Sequence, residues 1–364
     1  MILGIPKETK EHEYRVSMTP IGVRDIVREG HTVLVERRAG ENAGWGDRLY
    51  RDAGGRMVTR TELFRRAELV VKVKEPQPAE FNLLHEGQIL FTYLHLAGYP
   101  SLIKVLLRRK IIGIAYETVQ TSDGNLPLLA PMSEIAGKLA TLMGANYLRK
   151  DFGGKGRLLP GVLGKDRARV TVIGAGTVGT QAALMAYGMG ANLTVLDLAE
   201  AKLQAIRQKI PERIETQVSS PEAVARAVAR SDLLIGAVLV AGRRAPRVVT
   251  RSMVEGMEQG SVIVDVAIDQ GGCVETTHAT TVAKPTYLKH GVIHCAVANM
   301  PSLVPKSASE ALSRATFPYV KKLANLGYER AIAEDTALKK GINLDRGEVV
   351  LTSLLADVTP QKAA

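Results

Sequence analysis

Residues suited to chemistry sit where apolar runs of this sequence end. The run Val170–Ile173 stops at Gly174-Ala-Gly176-Thr-Val-Gly179, and a helical pattern begins there. Gly174 permits a tight turn, Gly176 lets the backbone approach a pyrophosphate, and Gly179 lets the helix pack close to the strand. An anion would then face the free N–H groups and the positive dipole of a helix N-terminus. The next run ends on Asp197. A carboxylate there accepts hydrogen bonds from a ribose diol and repels a 2′-phosphate, so NAD is preferred to NADP. Lys202 could approach the adenosine or be an ordinary solvated helix lysine.

In open parallel sheets ligands collect at the carboxyl ends of the strands, so polar residues just past those ends are the candidates. The first third of the chain offers Lys74, His95 and Glu117, with Arg15 in the loop after the first run; the later part offers Asp197, Asp269 and Asn299. Arg15 and Lys74 can donate to a carboxylate, Arg15 in bidentate geometry. His95 can exchange protons near neutrality. Asp269 belongs to the nucleotide-binding half and could meet a substrate when a cleft closes over the cofactor. That set suits oxidation of a small amino or hydroxy acid by hydride transfer to nicotinamide. Plainer readings stand beside it. Lys74 could pair with Glu75 on the surface, His95 could be a core histidine, Arg15 could be solvated beside Glu11 and Glu13, and Asp269 could serve a turn. His12, His31, His85, His278, His290 and His294 have no comparable placement.

These residues need strands and helices to present them. Short β-branched runs alternate with helical stretches, the mark of parallel α/β structure. Strands are expected at Ile2–Ile5, Thr32–Glu36, Leu69–Val73, Ile89–Tyr93 and Ile111–Glu117. A second series is expected at Val170–Ile173, Leu193–Leu196, Ile214–Val218, Leu233–Leu239, Ser261–Val266 and Val292–Ala298. Helices are expected at Pro20–Glu29, Glu62–Arg66 and Ser101–Arg109. Ser133 reads as the N-cap of a helix, Ser307-Ala-Ser-Glu310 as a capping box, and Pro318 as a kink. The expected architecture is two doubly wound Rossmann-like domains with an active-site cleft between them. Residues 128–305 would form an inserted NAD-binding domain, and residues 1–127 plus 306–364 the substrate and catalytic domain.

Composition narrows the partners. Of 364 residues, 46% are hydrophobic and 23% charged, an ordinary globular balance. No apolar run approaches the ~18 residues of a membrane span, and no signal peptide is evident at the N-terminus. The two cysteines, Cys273 and Cys295, show neither disulfide-scaffold nor metal-ligand spacing, so no metal is expected and a reduced, cytoplasmic setting is. The net charge of +11 raises nucleic acid as a partner. The basic pairs are scattered, however, and the 16 aromatic residues (1 Trp, 10 Tyr, 5 Phe) are not interleaved with them. No nucleic acid is expected.

Over nearly all of residues 1–360 the sequence resembles the NAD-dependent alanine dehydrogenases. The resemblance is carried by Gly4–Glu8 (GIPKE), Glu13–Pro20 (EYRVSMTP), Val71–Pro76 (VKVKEP), Glu86–Ala97 (EGQILFTYLHLA) and Ala115–Gln120 (AYETVQ). Further along it rests on Leu128–Gly137 (LLAPMSEIAG), Gly236–Gly242 (GAVLVAG), Ser261–Cys273 (SVIVDVAIDQGGC) and Val297–Pro305 (VANMPSLVP). It implies that Arg15 and Lys74 hold a substrate carboxylate, with His95 and Asp269 as the catalytic pair. Implied NAD contacts come from Ser133, Gly174, Gly176, Thr177, Val178, Gly179, Asp197, Lys202, Ser219, Val238, Leu239, Ile268, Asp269, Asn299 and Met300. The implied reaction converts L-alanine, NAD and water to pyruvate, ammonium and NADH, and the implied assembly is a homohexamer. Lys306 and Arg314 depart from the usual family pattern, in a segment expected to join domains or subunits. The nearest rival is the NAD-binding component of proton-translocating transhydrogenase. A second rival is an NAD-binding protein without catalysis.

Overall fold

The structure is a computed structural model that describes residues 1–238 and 244–354. Its chain divides into two compact units, Met1–Met132 with the described residues from Ser302 onward, and Ser133–Pro301.

In the first unit, short runs rich in Val, Ile and Leu form β1 (Ile2–Ile5), β2 (Thr32–Glu36), β3 (Arg56–Val58), β4 (Leu69–Val71), β5 (Ile89–Thr92) and β6 (Ile112–Ala115). All four residues of β5 and of β6 are buried, as strands covered on both faces must be. These six lie parallel in the order β3-β2-β1-β4-β5-β6. The strand order therefore reverses between β1 and β4. Gly4 in β1 is required by packing, since a Cβ there would lie 2.6 Å from Leu63 of the helix Arg60–Arg66. Thr19 and Thr59 cap the helices Pro20–Arg28 and Arg60–Arg66 by accepting from Gly22 N and Glu62 N.

The second unit contains β7 (Arg169–Ile173), β8 (Asn192–Asp197), β9 (Ile214–Val218), β10 (Leu233–Gly236), β11 (Val262–Asp265), β12 (Thr286–Lys289) and β13 (Val292–Cys295). Six of these run parallel in the order β9-β8-β7-β10-β11-β13, and β12 pairs antiparallel with β13 at the edge. This is the dinucleotide-binding order, with its switch point between β7 and β10. Apolar residues of one face, among them Val170, Val172, Leu193, Leu233 and Val262, form one core cluster, and those of the other face, among them Ile173, Leu196, Leu234 and Ile263, form a second. The chain then returns to the first sheet with β14 (Ile342–Asp345), antiparallel to β6, and β15 (Glu348–Val349).

Several expectations need correction. Strands β4, β5, β6 and β11 end one to two residues earlier than their apolar runs, and β10 and β13 three residues earlier, because the backbone turns into short 3₁₀ segments or loops. The helix Ala130–Tyr147 starts before Ser133, which lies inside it and is not its cap. Likewise the helix from Pro305 to Glu334 has Val304 at its N-cap and Pro305 in its first turn, so Ser307 caps nothing. That helix leaves helical geometry at Gly327 (φ 73°, ψ 171°), not at Pro318. Proline's fixed φ suits a helix, whereas the left-handed backbone at 327 is open to glycine. Strands β3, β12, β14 and β15 are short or lie toward sheet edges, and their weak apolar runs gave no signal in sequence.

Candidate active site

In the first unit the candidates gather beyond the ends of β1, β4 and β5, on both sides of the switch point. Arg15 is buried, at 3% exposure, which excludes a solvated side chain. Its Nε and Nη2 donate to Glu13 Oε1 and Oε2 at 2.7 and 2.6 Å, and its Nη1 lies 3.1 Å from Met132 Sδ. The bidentate edge expected for substrate is thus occupied by Glu13. Lys74 is also buried, with Nζ 3.9 Å from Glu75 Oε2. A surface ion pair is not what the structure contains. Glu75 is itself buried and accepts a 2.6 Å hydrogen bond from Lys10 Nζ.

His95 follows β5 in the left-handed region, at φ 47°. A non-glycine residue pays conformational energy there and stays only where its surroundings hold it. Glu117 provides that hold: its Oε1 accepts from His95 N at 2.6 Å and its Oε2 from Leu94 N at 3.3 Å. Tyr93 stacks on the imidazole at 5.8 Å between ring centres. With 42% of its side chain exposed, His95 is not a satisfied core histidine. Desolvation by the surrounding protein, joined by the positive charges of Lys74, Lys10 and Arg15, pushes it well below the ordinary histidine range. The imidazole is therefore neutral at pH 7 and able to accept a proton.

In the second unit the glycines do what their spacing implies. Gly174 has φ 102°, and a Cβ there would lie 2.5 Å from Ala237 O of the neighbouring strand's end. A Cβ on Gly179 would come within 1.7 Å of Gly174 O, whereas one on Gly176 meets nothing within 4 Å among the described residues. The first and third glycines serve the fold; the second leaves space at the N-terminus of the helix Thr177–Gly188. That is the fit a pyrophosphate requires. A depression of about 310 Å³ adjoins it, lined by Gly176, Thr177, Thr180, Gln181 and Lys202 among others. Thr177 is exposed and Val178 half-buried.

Asp197, at the end of β8, accepts from Ala175 N at 2.7 Å and from Ala199 N at 2.9 Å, and its backbone carbonyl accepts from Ser219 N. It thus ties the glycine loop to β8 and β9, a duty not foreseen from sequence. Its second lone pairs remain for a diol. Lys202 is exposed, with Nζ 3.8 Å from Asp197 Oδ2. Beyond β11, Ile268 and Asp269 lie in the 3₁₀ turn Val266–Gln270; Ile268 is buried and Asp269 exposed. Asn299, in the left-handed region at φ 60°, brings its N–H 3.5 Å from Asp269 Oδ2, and Met300 is buried next to it. Val238 and Ser133 are half-buried. Leu239 lies outside the described residues.

Sequence reasoning missed Asp265. It is fully buried and accepts from Ala267 N, Cys273 N, Val274 N and Thr277 Oγ1, which pins the turn carrying Asp269. An acid inside a β-branched run was a usable signal, because a carboxylate is not buried without donors. Glu8 and Lys10 were also passed over, and Glu75 was read only as a surface partner of Lys74. Among the described residues no group of three or more His, Cys, Asp or Glu is placed to hold a metal.

Two family models match, "Alanine dehydrogenase/PNT, N-terminal domain" over residues 4–136 and "Alanine dehydrogenase/PNT, C-terminal domain" over residues 140–352. An alanine dehydrogenase of Methanococcus maripaludis is 50% identical over 351 residues, covering 96% of this chain and 94% of that protein. One of Bacillus subtilis is 49% identical over 360 residues, covering 98% and 95%. A solved L-alanine dehydrogenase superposes with a TM-score of 0.95 at 47% identity, over 99% of this chain and 100% of the other. A transhydrogenase structure from Sinorhizobium meliloti gives 0.84 at 25% identity, over 96% and 100%. With matching models over both halves and full-length relatives at this identity, the chain belongs to the alanine dehydrogenase/PNT family.

Proposed function

We propose that this protein is an NAD-dependent alanine dehydrogenase, converting L-alanine, NAD and water to pyruvate, ammonium and NADH, and the reverse. The observation that carries the reading is the likeness, at about half of all positions and along nearly the whole length, to proteins named alanine dehydrogenase. The transhydrogenase likeness is weaker, at 25% identity. Residues 128–305 are read as the NAD-binding domain.

The roles of the residues follow from their chemistry. Arg15 and Lys74 anchor the substrate carboxylate through N–H donors that are buried and so strengthened by low dielectric. When bound, the nicotinamide supplies the acceptor for the hydride that leaves the alanine α-carbon. His95, neutral at pH 7, takes a proton at its ring nitrogen from the water that attacks the resulting iminium carbon, and returns it as ammonia departs. Asp269 orients that water or supports the developing positive charge. Gly174, Gly176, Thr177, Val178 and Gly179 receive the pyrophosphate, and Asp197 the ribose diol. Lys202, Ser133, Ser219, Val238, Leu239, Ile268, Asn299 and Met300 complete the NAD contacts.

One assay tests the function: loss of NADH absorbance requires pyruvate and ammonium together, and omission of either stops it. Oxidation without ammonium rejects the dehydrogenase reading, and hydride exchange with a second dinucleotide supports the transhydrogenase. His95→Ala and Asp269→Ala each lower kcat at least about 100-fold while NADH still binds; near-normal turnover removes the residue concerned from the mechanism. A homohexamer in the cytoplasm completes the reading. Exposed apolar side chains at Leu158 (59%), Val162 (66%) and Leu163 (96%) support burial against further copies. Light scattering after size exclusion, at six times 39.3 kDa or not, decides the assembly.

A further inference from the structure

One buried carboxyl in the first unit has no part in the chemistry above. Glu8 lies in the loop that follows β1, the same loop that carries Arg15, and it is buried. Its Oε1 accepts from Val73 N at 2.6 Å, and its Oε2 lies 3.2 Å from Lys72 Nζ. Both partners immediately precede Lys74. Lys72 is fully buried and donates at 2.9 Å to Glu80 Oε1, which is also fully buried. The other oxygen of Glu80 accepts from Gln77 N at 2.9 Å. Two carboxyl groups and one ammonium therefore share a buried region. Glu8 is one of three side chains of this loop that reach the segment around Lys74, with Lys10 to Glu75 Oε1 and Ser17 to Val71 O, and it alone of the three brings a carboxyl.

We propose that Glu8 is a positioning residue for the substrate carboxylate, holding the Arg15 loop and the Lys74 segment in one register and sensing the charge placed between them. The inference rests on the reading of Arg15 and Lys74 as the carboxylate anchors.

The electrostatics give the tie a pH dependence. With both carboxylates ionised the buried triad carries a net negative charge that one lysine does not cancel. Glu8 also faces Glu13 and Arg15 from its own loop, Glu80 from the turn Pro78–Glu80, and the Tyr116 phenol from the turn after β6. Burial is the main effect; it outweighs the attraction of Lys72 and pushes the Glu8 carboxyl up to about 7. Above that pH the ionised Glu8 competes with an incoming carboxylate for the field of Arg15. Below it, the neutral acid does not. Substrate carboxylate therefore binds more tightly at lower pH, and binding near neutrality draws a proton onto Glu8. His95, held well below the ordinary range, contributes little in that window.

The test measures pyruvate binding to the enzyme saturated with NADH, without ammonium, by calorimetry from pH 6 to 8.5 in two buffers of different ionisation enthalpy. The expected result for the wild type is proton uptake near pH 7 and a Kd that rises about fivefold across the range, as a unit charge about 10 Å away produces at intermediate dielectric. Glu8→Gln keeps the acceptor for Val73 N, abolishes the proton uptake and flattens the Kd profile. Glu8→Asp, which keeps the charge but shortens the reach, retains a pH dependence and binds more weakly at every pH. A wild-type Kd that is flat with pH, or a Glu8→Gln protein that keeps the wild-type profile, overturns the proposal; the first measurement stands even if the variant does not fold. Lys74→Met separates this from the underlying reading. If it binds pyruvate like the wild type, the carboxylate anchor is wrong; if it loses binding while Glu8→Gln behaves as wild type, Glu8 alone is wrong.

Discussion

His95 works through what surrounds it. Its backbone is held left-handed by Glu117, and its imidazole is kept neutral by desolvation and by Lys74, Lys10 and Arg15. A lowered histidine pKa disfavours the imidazolium, so the acid limb of the kcat/KM profile falls below the ordinary histidine range near pH 6.5. Lys74→Met removes one of the three cations and moves that limb upward, alongside a raised KM for alanine. An unmoved limb denies Lys74 its electrostatic role. Glu117→Gln keeps an oxygen for one backbone N–H but presents an amide donor to the other. We expect kcat to drop about tenfold with a smaller change in KM, because the proposed base His95 is misplaced while the proposed carboxylate anchors stay. Arg15 taught a different lesson. Its type was legible as a carboxylate binder, but not its prior engagement by Glu13, since two residues of separation in a loop do not fix which edges meet.

At the scale of elements, the glycine loop gives the sharpest contrast. Gly179→Ala places a methyl against Gly174 O, an overlap the close helix and strand cannot absorb, so the protein loses several kcal/mol (about 3 or more) with NAD binding. Gly176→Ala meets no atom within 4 Å among the described residues beyond its chain neighbours. It leaves the melting temperature within about 2 °C and raises the KM for NAD at least tenfold, because the added methyl points into ligand space. Equal loss of stability in both variants contradicts this division of labour. Strand interiors and the helix after Gly176 were readable because their apolar periodicity is forced by burial on both sheet faces. Strand ends were not: at β4, β5, β6 and β11 the apolar run outlasts the ladder. Helix starts at Ala130 and Pro305 were misplaced for a related reason, since several residues nearby could cap and only packing selects among them.

Across the whole molecule, the two units repeat one strand order, each with a switch point between its first and fourth strands. The second unit is held at the N-terminal edge of its sheet by a charge network centred on Asp232, which is 1% exposed in its side chain. It accepts from Lys155 Nζ at 2.7 Å and from Arg169 N at 2.7 Å, and Glu258 joins the same two basic residues. Burial pushes its carboxyl up, but the Arg169 amide and Lys155 more than offset this and hold it below the usual aspartate range. A depressed carboxyl stabilises the fold above its unfolded pKa of ~3.9 and loses that contribution as pH falls through the folded value. Asp232→Asn therefore destabilises the protein by about 2 kcal/mol at pH 7. The difference from wild type shrinks toward pH 3 in urea melts; a constant difference rejects the charge account.

The sequence by itself determined the class of the fold, the dinucleotide loop and the residue types gathered at the strand ends. These are local: a glycine three residues from another has the same meaning in any strand-to-helix turn, and an apolar strand must be covered. Tertiary structure alone decided who meets whom. It paired Arg15 with Glu13, set Glu117 beneath His95, spent Asp265 on pinning the Asp269 turn, and joined Glu8 to the segment of Lys74 across 65 residues of chain. Such partners are chosen by the register of strands distant in sequence and by the requirement that every buried charge find a partner, and neither is written in any single stretch of residues.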